Sequence, residues 1–310
     1  MQTEARRLRA RIVARMKSVG AAVGGRLAVW LLKAIRRTNP DRIADSTGAF
    51  VRRVGPFFPE HRTGRANLAA AFPEKSAVEI EEILRGVWDN LGRIAAEFAH
   101  LDRIWDFDPA RRWSGRVEIS PETEGRFWQL HEDGKPALIF AAHLANWELP
   151  ALAAAAYGLN GAILFRAPNV GSVATAIREI RGTNMGTLIP TGIGAPSAVA
   201  AALERGTHVG ILVDQFFYQG IDVEFFGRPC KTNPMIARLA RRFDCPIHGT
   251  RAIRLPDHRF RVELTEPIEP KRDSAGDIDV HATTQSITTI VEGWVREYPE
   301  QWLWLHRRWR

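Results

Sequence analysis

Short apolar runs and amphipathic stretches alternate along the second two-thirds of the chain. Runs at 137–142, 161–165, 187–190, 208–213 and 245–253 have the length and continuity of buried strands. Between them, residues 147–157, 172–183, 196–205 and 234–243 read as helices. Such alternation predicts a mostly parallel central sheet flanked by helices. Phe260–Leu264 alternates apolar and polar residues and pairs with 247–254 as a hairpin around Pro256 and Asp257, and a last helix covers 278–298. Upstream, residues 39–107 read as helical. Pro56 and Pro59 mark a turn, a short helix stops at Pro73, and residues 79–98 place Ile80, Ile83, Leu84, Val87, Leu91, Ile94 and Phe98 on one face. The fold class expected is therefore α/β with a helical N-terminal region.

Residues 1–37 have a different character. Arg6, Arg7, Arg9, Arg11, Arg15 and Lys17 make a basic start, with Leu8, Ile12 and Met16 at helical spacing. The more apolar segment 19–35 is interrupted by Arg26 and Lys33, so no uncharged run reaches the length of a bilayer span. Val23, Leu27, Trp30, Leu31 and Ala34 fall on one face, as in a helix lying in a membrane surface or one docked on the protein's own core. A cleaved signal peptide fits worse, because no small-x-small site follows. The organisation expected is a membrane-associating arm at 1–37 and a domain at 38–310, helical over 38–112 and α/β over 113–310.

Charge and composition narrow the partners. With 43 Lys and Arg against 35 Asp and Glu in 310 residues, the formal charge is +8, which suits nucleic acid, anionic lipid or an acidic protein. Ten tryptophans, several close to arginines, favour a membrane interface, and three tyrosines are few for a base-stacking platform. Cys230 and Cys245 form no Cys-x-x-Cys pair, so no metal site is expected, and free thiols suit a reducing compartment.

Candidate chemistry gathers where the predicted strands end, the place where α/β sheets bind ligands. The run beginning at Pro136 ends in His143, and Glu148 follows at the start of an alanine-rich helix. On one regular helix, positions i and i+5 lie about 140° apart. With His143 in the turn and Glu148 in the first helical turn, the two side chains can converge, and a histidine held by a carboxylate is a general base for a hydroxyl. The plainer alternative is a satisfied core histidine. Arg166 closes the run at 161–165 and suits a phosphate or an oxyanion, or else a surface position with a snorkelling stem. Asp214 and Gln215 emerge from 208–213, where a carboxylate caps the next turn or serves the site. Arg178 and Arg181 lie on the helix expected at 172–183, where at least one belongs to a solvated face. The aromatic loop 216–227 offers an apolar wall suited to a hydrocarbon chain, or core packing. The glycine turns at 181–186 and 191–194 complete no nucleotide-binding pattern, and no Gly-x-Ser-x-Gly is present. Direct transfer with His143 as base is thus preferred to a covalent acyl-enzyme.

With these residues in view, the sequence from about Ile43 onward resembles the bacterial late acyltransferases of lipid A biosynthesis, the lauroyl/myristoyl transferase group of the lysophospholipid acyltransferase superfamily. The resemblance is carried by the His-x4-Glu box from His143 to Glu148, by Asn67-Leu68 with Phe72-Pro73-Glu74, and by residues 88–93 with Glu97. Asp214-Gln215 followed by Phe225-Phe226-Gly227 and Thr232 matches another block, and the most specific stretch is the ending 299–309, rich in Trp and Arg. Where the family commonly places proline directly after the arginine of its second block, Arg166 is followed by Ala167 before Pro168. The resemblance implies His143 and Glu148 as catalytic residues, with Asn146, Arg166, Arg181, Asp214, Gln215, Gly227 and Thr232 toward substrate. Glu148 would orient the imidazole, and Arg166 or backbone N–H groups would steady the oxyanion. It further implies no cofactor, a donor thioester on acyl carrier protein or coenzyme A, and an anionic glycolipid acceptor. It places the protein peripherally or monotopically on the cytoplasmic face of the inner membrane, without nucleic acid. Rival readings are another lipid acceptor (a phosphatidylinositol mannoside, an ornithine lipid or a lysophospholipid) or a non-enzymatic basic membrane-surface or nucleic-acid-binding protein; the latter leaves the His/Glu strand-end arrangement without a purpose.

Overall fold

The computed structural model describes residues 24–27, 29–108, 110, 115–166, 175, 179–181 and 185–310. The basic start of the arm and Val23, Arg178, and most of the helix expected at 172–183 lie outside the described residues. Residues 24–27 and 29–35 are helical. They lead into α1 (Pro40–Val54), α2 (Pro59–Ala71), α3 (Ala77–Glu97) and the short α4 (Leu101–Ile104). α3 starts where a reciprocal cap allows it: Ser76 accepts from the Glu79 N–H while the Glu79 carboxylate accepts from the Ser76 N–H. Of the face the periodicity predicts, Ile80, Leu84, Val87 and Ile94 are buried and Ile83, Leu91 and Phe98 half-buried, and Trp88, outside that expectation, is buried too.

β1 (Val117–Glu118) and α5 (Pro121–Glu132) precede the alternating part: β2 (Leu138–Ala141), α6 (Leu149–Ala156), β3 (Gly161–Phe165), β4 (Thr187–Pro190), α7 (Ala195–Glu204) and β5 (His208–Leu212). Then come β6 (Ile221–Phe225), β7 (Arg228–Thr232), α8 (Met235–Phe243), β8 (Ile247–Arg254), β9 (Phe260–Leu264) and α9 (Val280–Glu297). The sheet has strand order β1-β9-β8-β2-β5-β3-β4, and every pair in it is parallel except the hairpin β8–β9. This is the α/β arrangement expected from the sequence. Unforeseen are β1, α5, and the antiparallel pair β6–β7, which occupies much of the stretch read as an aromatic loop.

The apolar runs are continuous because both faces of the central strands are covered. Leu138 and Phe140 of β2 join one core with α7, α8, α9, the inner faces of α2 and α3, and the C-terminal tryptophans. Ile139 faces a second core built with α5 and α6. No helix among the described residues is long and apolar enough to cross a membrane.

Candidate active site

Strand register brings the central pair together. β2 and β5 are parallel neighbours with Ala141 opposite Leu212. Two residues beyond each, on the same side of the pleat, stand His143 and Asp214. The His143 Nδ1–H donates to Asp214 Oδ1 at 2.8 Å, and the His143 backbone N–H donates to Oδ2 at 2.8 Å. Since a carboxylate only accepts, these bonds fix the imidazole with its proton on Nδ1 and its lone pair on Nε2. The Gln215 amide N–H donates to that Nε2, with 3.3 Å between the nitrogens. Trp302, from the far end of the chain, donates its indole N–H to Asp214 Oδ2 at 2.7 Å. Burial pushes the Asp214 pKa up, but the electrostatic pull of the adjacent His143 and its two hydrogen bonds outweigh this, so the carboxyl is held well below the usual range. A second histidine, His306, stands near Asp214, but burial pushes its pKa down and its Nδ1 is bonded to the Leu303 carbonyl at 2.7 Å. His143 is therefore the imidazole at the opening, its Nε2 met there by the Gln215 amide.

The turn after His143 is held from both sides. Ala145 adopts φ of 45°, in the left-handed region, and its N–H donates to the Gln301 carbonyl at 2.9 Å. Leu144 bridges to Trp302, and the Leu303 N–H donates to the His143 carbonyl. The C-terminal signature thus runs as an antiparallel strap along the turn after His143. Behind it, Asn146 is fully buried; its amide donates to Glu97 at 2.9 Å, and Glu97 is clasped by the Arg254 guanidinium. Arg254 also reaches Asn90, whose amide donates to the Gln301 carbonyl. Asn146 therefore braces the turn from behind and does not line the cavity. Glu97 and Asn90, which the sequence offered only through resemblance, are parts of the same brace.

Glu148 departs from the expected geometry. Both its oxygens are bound by Arg181, Nε at 2.8 Å to Oε2 and Nη2 to Oε1, and the guanidinium lies between the rings of Phe98 and Phe165 at 5.5 and 5.9 Å. The imidazole is oriented by Asp214, not by Glu148. The physical reason is the left-handed turn at Ala145 together with the strong, flat, two-pronged demand of Arg181, which satisfies the carboxylate before it can reach the histidine. Glu148 and His143 nevertheless line one opening.

That opening leads into a cavity of about 750 Å³ between the sheet and α6. His143, Trp147, Glu148, Arg166, Arg181 and Gln215 surround its polar mouth, at the carboxyl ends of β2, β3 and β5. Further in, Ile139, Ile163 and Leu212 of the strands face Ala151, Ala154 and Ala155 of α6, and His208 and Leu130 lie at the opposite end of the strands. Phe216 and Phe217 line it too, which fits the apolar wall expected of that loop. Arg166 is exposed and, among the described residues, has no carboxylate partner, unlike Arg181. Gly227 and Thr232 are elsewhere. Gly227 takes φ of 64° in the β6–β7 turn, a conformation glycine adopts without strain, and buried Thr232 accepts from the Arg308 guanidinium. Arg308 also donates to the Lys231 carbonyl, and Trp309 to the Phe225 carbonyl, so these family-like residues pin the hairpin to the C-terminal segment. Among the described residues no group of three or more His, Cys, Asp or Glu side chains gathers as metal ligands do.

Comparison with known proteins agrees with this geometry in kind. The family model described as bacterial lipid A biosynthesis acyltransferase matches residues 18–310, nearly the whole chain. No curated protein sequence matches it.

Proposed function

Because the chain belongs to the bacterial lipid A biosynthesis acyltransferase family, we propose that it moves a fatty acyl chain from an acyl-carrier-protein or coenzyme A thioester to a hydroxyl of a lipid A precursor. The work is done at the cytoplasmic face of the inner membrane, with acyl carrier protein as partner and no cofactor. The observation that carries this reading is a carboxylate-held imidazole, its Nε2 met by the Gln215 amide, at the polar mouth of a deep apolar cavity.

The steps follow from that placement. The acceptor hydroxyl takes the position marked by the Gln215 amide and gives its proton to His143 Nε2 as its oxygen bonds to the thioester carbon. The imidazolium formed is stabilised by Asp214. Arg166 at the mouth faces the negative charge of the tetrahedral oxygen or of the acceptor's phosphate. As the carbon–sulfur bond breaks, the proton passes from Nε2 to the leaving thiolate, which restores the base. The acyl chain lies in the cavity under α6, where the removal of its methylenes from water supplies binding energy. Glu148 and Arg181 form one wall of the entrance.

Incubating the purified protein with a lipid A precursor and acyl-carrier donors of graded chain length, then weighing the products, tests the reading. Addition of one acyl group is expected; absence of transfer from every donor overturns it. The same assay carries a sharper expectation at Gly210. A Cβ built there meets only the Ala162 carbonyl oxygen at 3.9 Å and the Ile163 side chain at 4.0 Å, ordinary contacts, so Gly210→Leu fills the cavity rather than shifting the backbone. The longest donors that the parent accepts should lose about 10–200-fold in rate, the range for displaced methylenes in an apolar pocket, while shorter donors are spared. Equal losses at every chain length would place the chain elsewhere.

A further inference from the structure

The turn between α1 and α2 holds aromatic side chains in water for no reason that folding supplies. Phe57 is 87% exposed, and Phe50, in the last turns of α1, is 63% exposed. Phe58, 50% exposed, instead sets its ring against the buried Trp88 at 6.0 Å. The turn itself is rigid. Pro56 and Pro59 restrict its backbone, and Gly55 presses on the buried Trp88 so closely that a Cβ would fall 2.2 Å from the ring. Its base is thus locked onto the core while Phe57 projects.

The surrounding charge says what kind of surface it meets. From 46 to 73 the chain has four arginines and one acid, Glu60. Arg65 is paired with Glu81, whereas Arg52, Arg53 and Arg62 are exposed with no ion-pair partner among the described residues. A second apolar and basic element lies beyond the other end of α1, about 22 Å away for 15 residues. There Leu27, Trp30 and Leu31 are 55%, 63% and 45% exposed beside Arg26 and Lys33. Exposed apolar side chains flanked by exposed basic residues at both places match the interface of an anionic bilayer.

We propose that the turn at residues 55–59 is a membrane-contact wedge, its phenylalanines entering the interface of an anionic bilayer while Arg52, Arg53 and Arg62 meet lipid phosphates. The proposal is independent of the acyl-transfer reading and concerns a surface in addition to the arm at 1–37.

The native cysteines are both buried, so a single label can be placed in the full chain. Phe57→Cys carrying a polarity-sensitive fluorophore should shift to the blue with phosphatidylglycerol-containing vesicles and much less with phosphatidylcholine alone. The shift should shrink as salt is raised, and the same label at exposed Ser274→Cys should not respond. The double variant Phe50→Ser/Phe57→Ser, altered only at exposed side chains, should bind such vesicles at least about tenfold more weakly with unchanged circular dichroism. An unresponsive label at position 57 while the protein is vesicle-bound overturns the proposal. So does undiminished binding by the double variant, or a lipid-free shift that grows with protein concentration, which would assign the turn to a second copy.

Discussion

Replacing His143 with alanine is expected to lower the rate of acyl transfer by about 10²–10⁴-fold, the usual range for a lost general base, in a folded protein whose melting temperature falls because buried Asp214 loses its imidazole partner. Among the described residues there is no substitute. Glu148 is the nearest carboxylate in the sequence, but Arg181 occupies both its oxygens. Asp214 is buried and keeps the Trp302 indole as donor after the imidazole is gone. His306 is half-buried, and its Nδ1 is committed to the Leu303 carbonyl. The side chain removed is 15% exposed and at the cavity mouth, so no core cavity opens, and the cost to the fold is the lost partner of buried Asp214. Single-turnover transfer from a saturating donor, beside a thermal melt, separates the two effects. A folded His143→Ala protein that turns over at the parent's rate would remove His143 from the mechanism.

What the sequence made legible follows from burial. Strands covered on both faces have no polar alternation, so β2, β3 and β5 stand out as apolar runs, and the helices between them fall into place. The pair β6–β7 was invisible for the opposite reason: Asp222, Glu224, Pro229 and Lys231 interrupt it, since one side of the hairpin is exposed. Two-residue β1 carries too little pattern to register at all.

The site was legible as a set of strand ends but not as a set of contacts. His143, Arg166 and Asp214 each follow an apolar run, which marks them as candidates. Which of them touch depends on strand order, and β2 neighbours β5 only because the chain runs out through β3 and β4 before returning. Local spacing therefore favoured Glu148, five residues from His143, over Asp214, which is 71 residues away and in contact. Trp302 lies farther still, and its indole bond to Asp214 follows from the strap that the C-terminal segment lays along the turn after His143. The tryptophan- and arginine-rich ending, conspicuous as a signature, owes its composition to this packing.

Asp214→Asn should therefore be as damaging to transfer as the loss of the base, and it distinguishes the observed geometry from the one that spacing suggested. An amide of the same shape still receives the Trp302 indole and the His143 backbone N–H on its oxygen. Its NH₂ then faces Nδ1, and an imidazole that accepts there must carry its proton on Nε2, the wrong atom for a base. Removing the negative charge also removes what favours the imidazolium, so residual activity should persist to lower pH than in the parent. The stability consequence has a definite sign. Asp214 has a depressed folded-state pKa, so its contribution is present above the ordinary carboxylate pKa of about 3.9 and is lost as pH falls toward the depressed value. The asparagine variant lacks that contribution at neutral pH and should show a weaker loss of stability on acidification. Glu148→Gln supplies the contrast, because it weakens the hold on Arg181 at the entrance without touching the imidazole. Its transfer rate should fall with the acid limb of the pH–rate profile unmoved. If instead Glu148→Gln moves that limb and Asp214→Asn leaves it in place, Glu148 is the residue that holds the base during turnover.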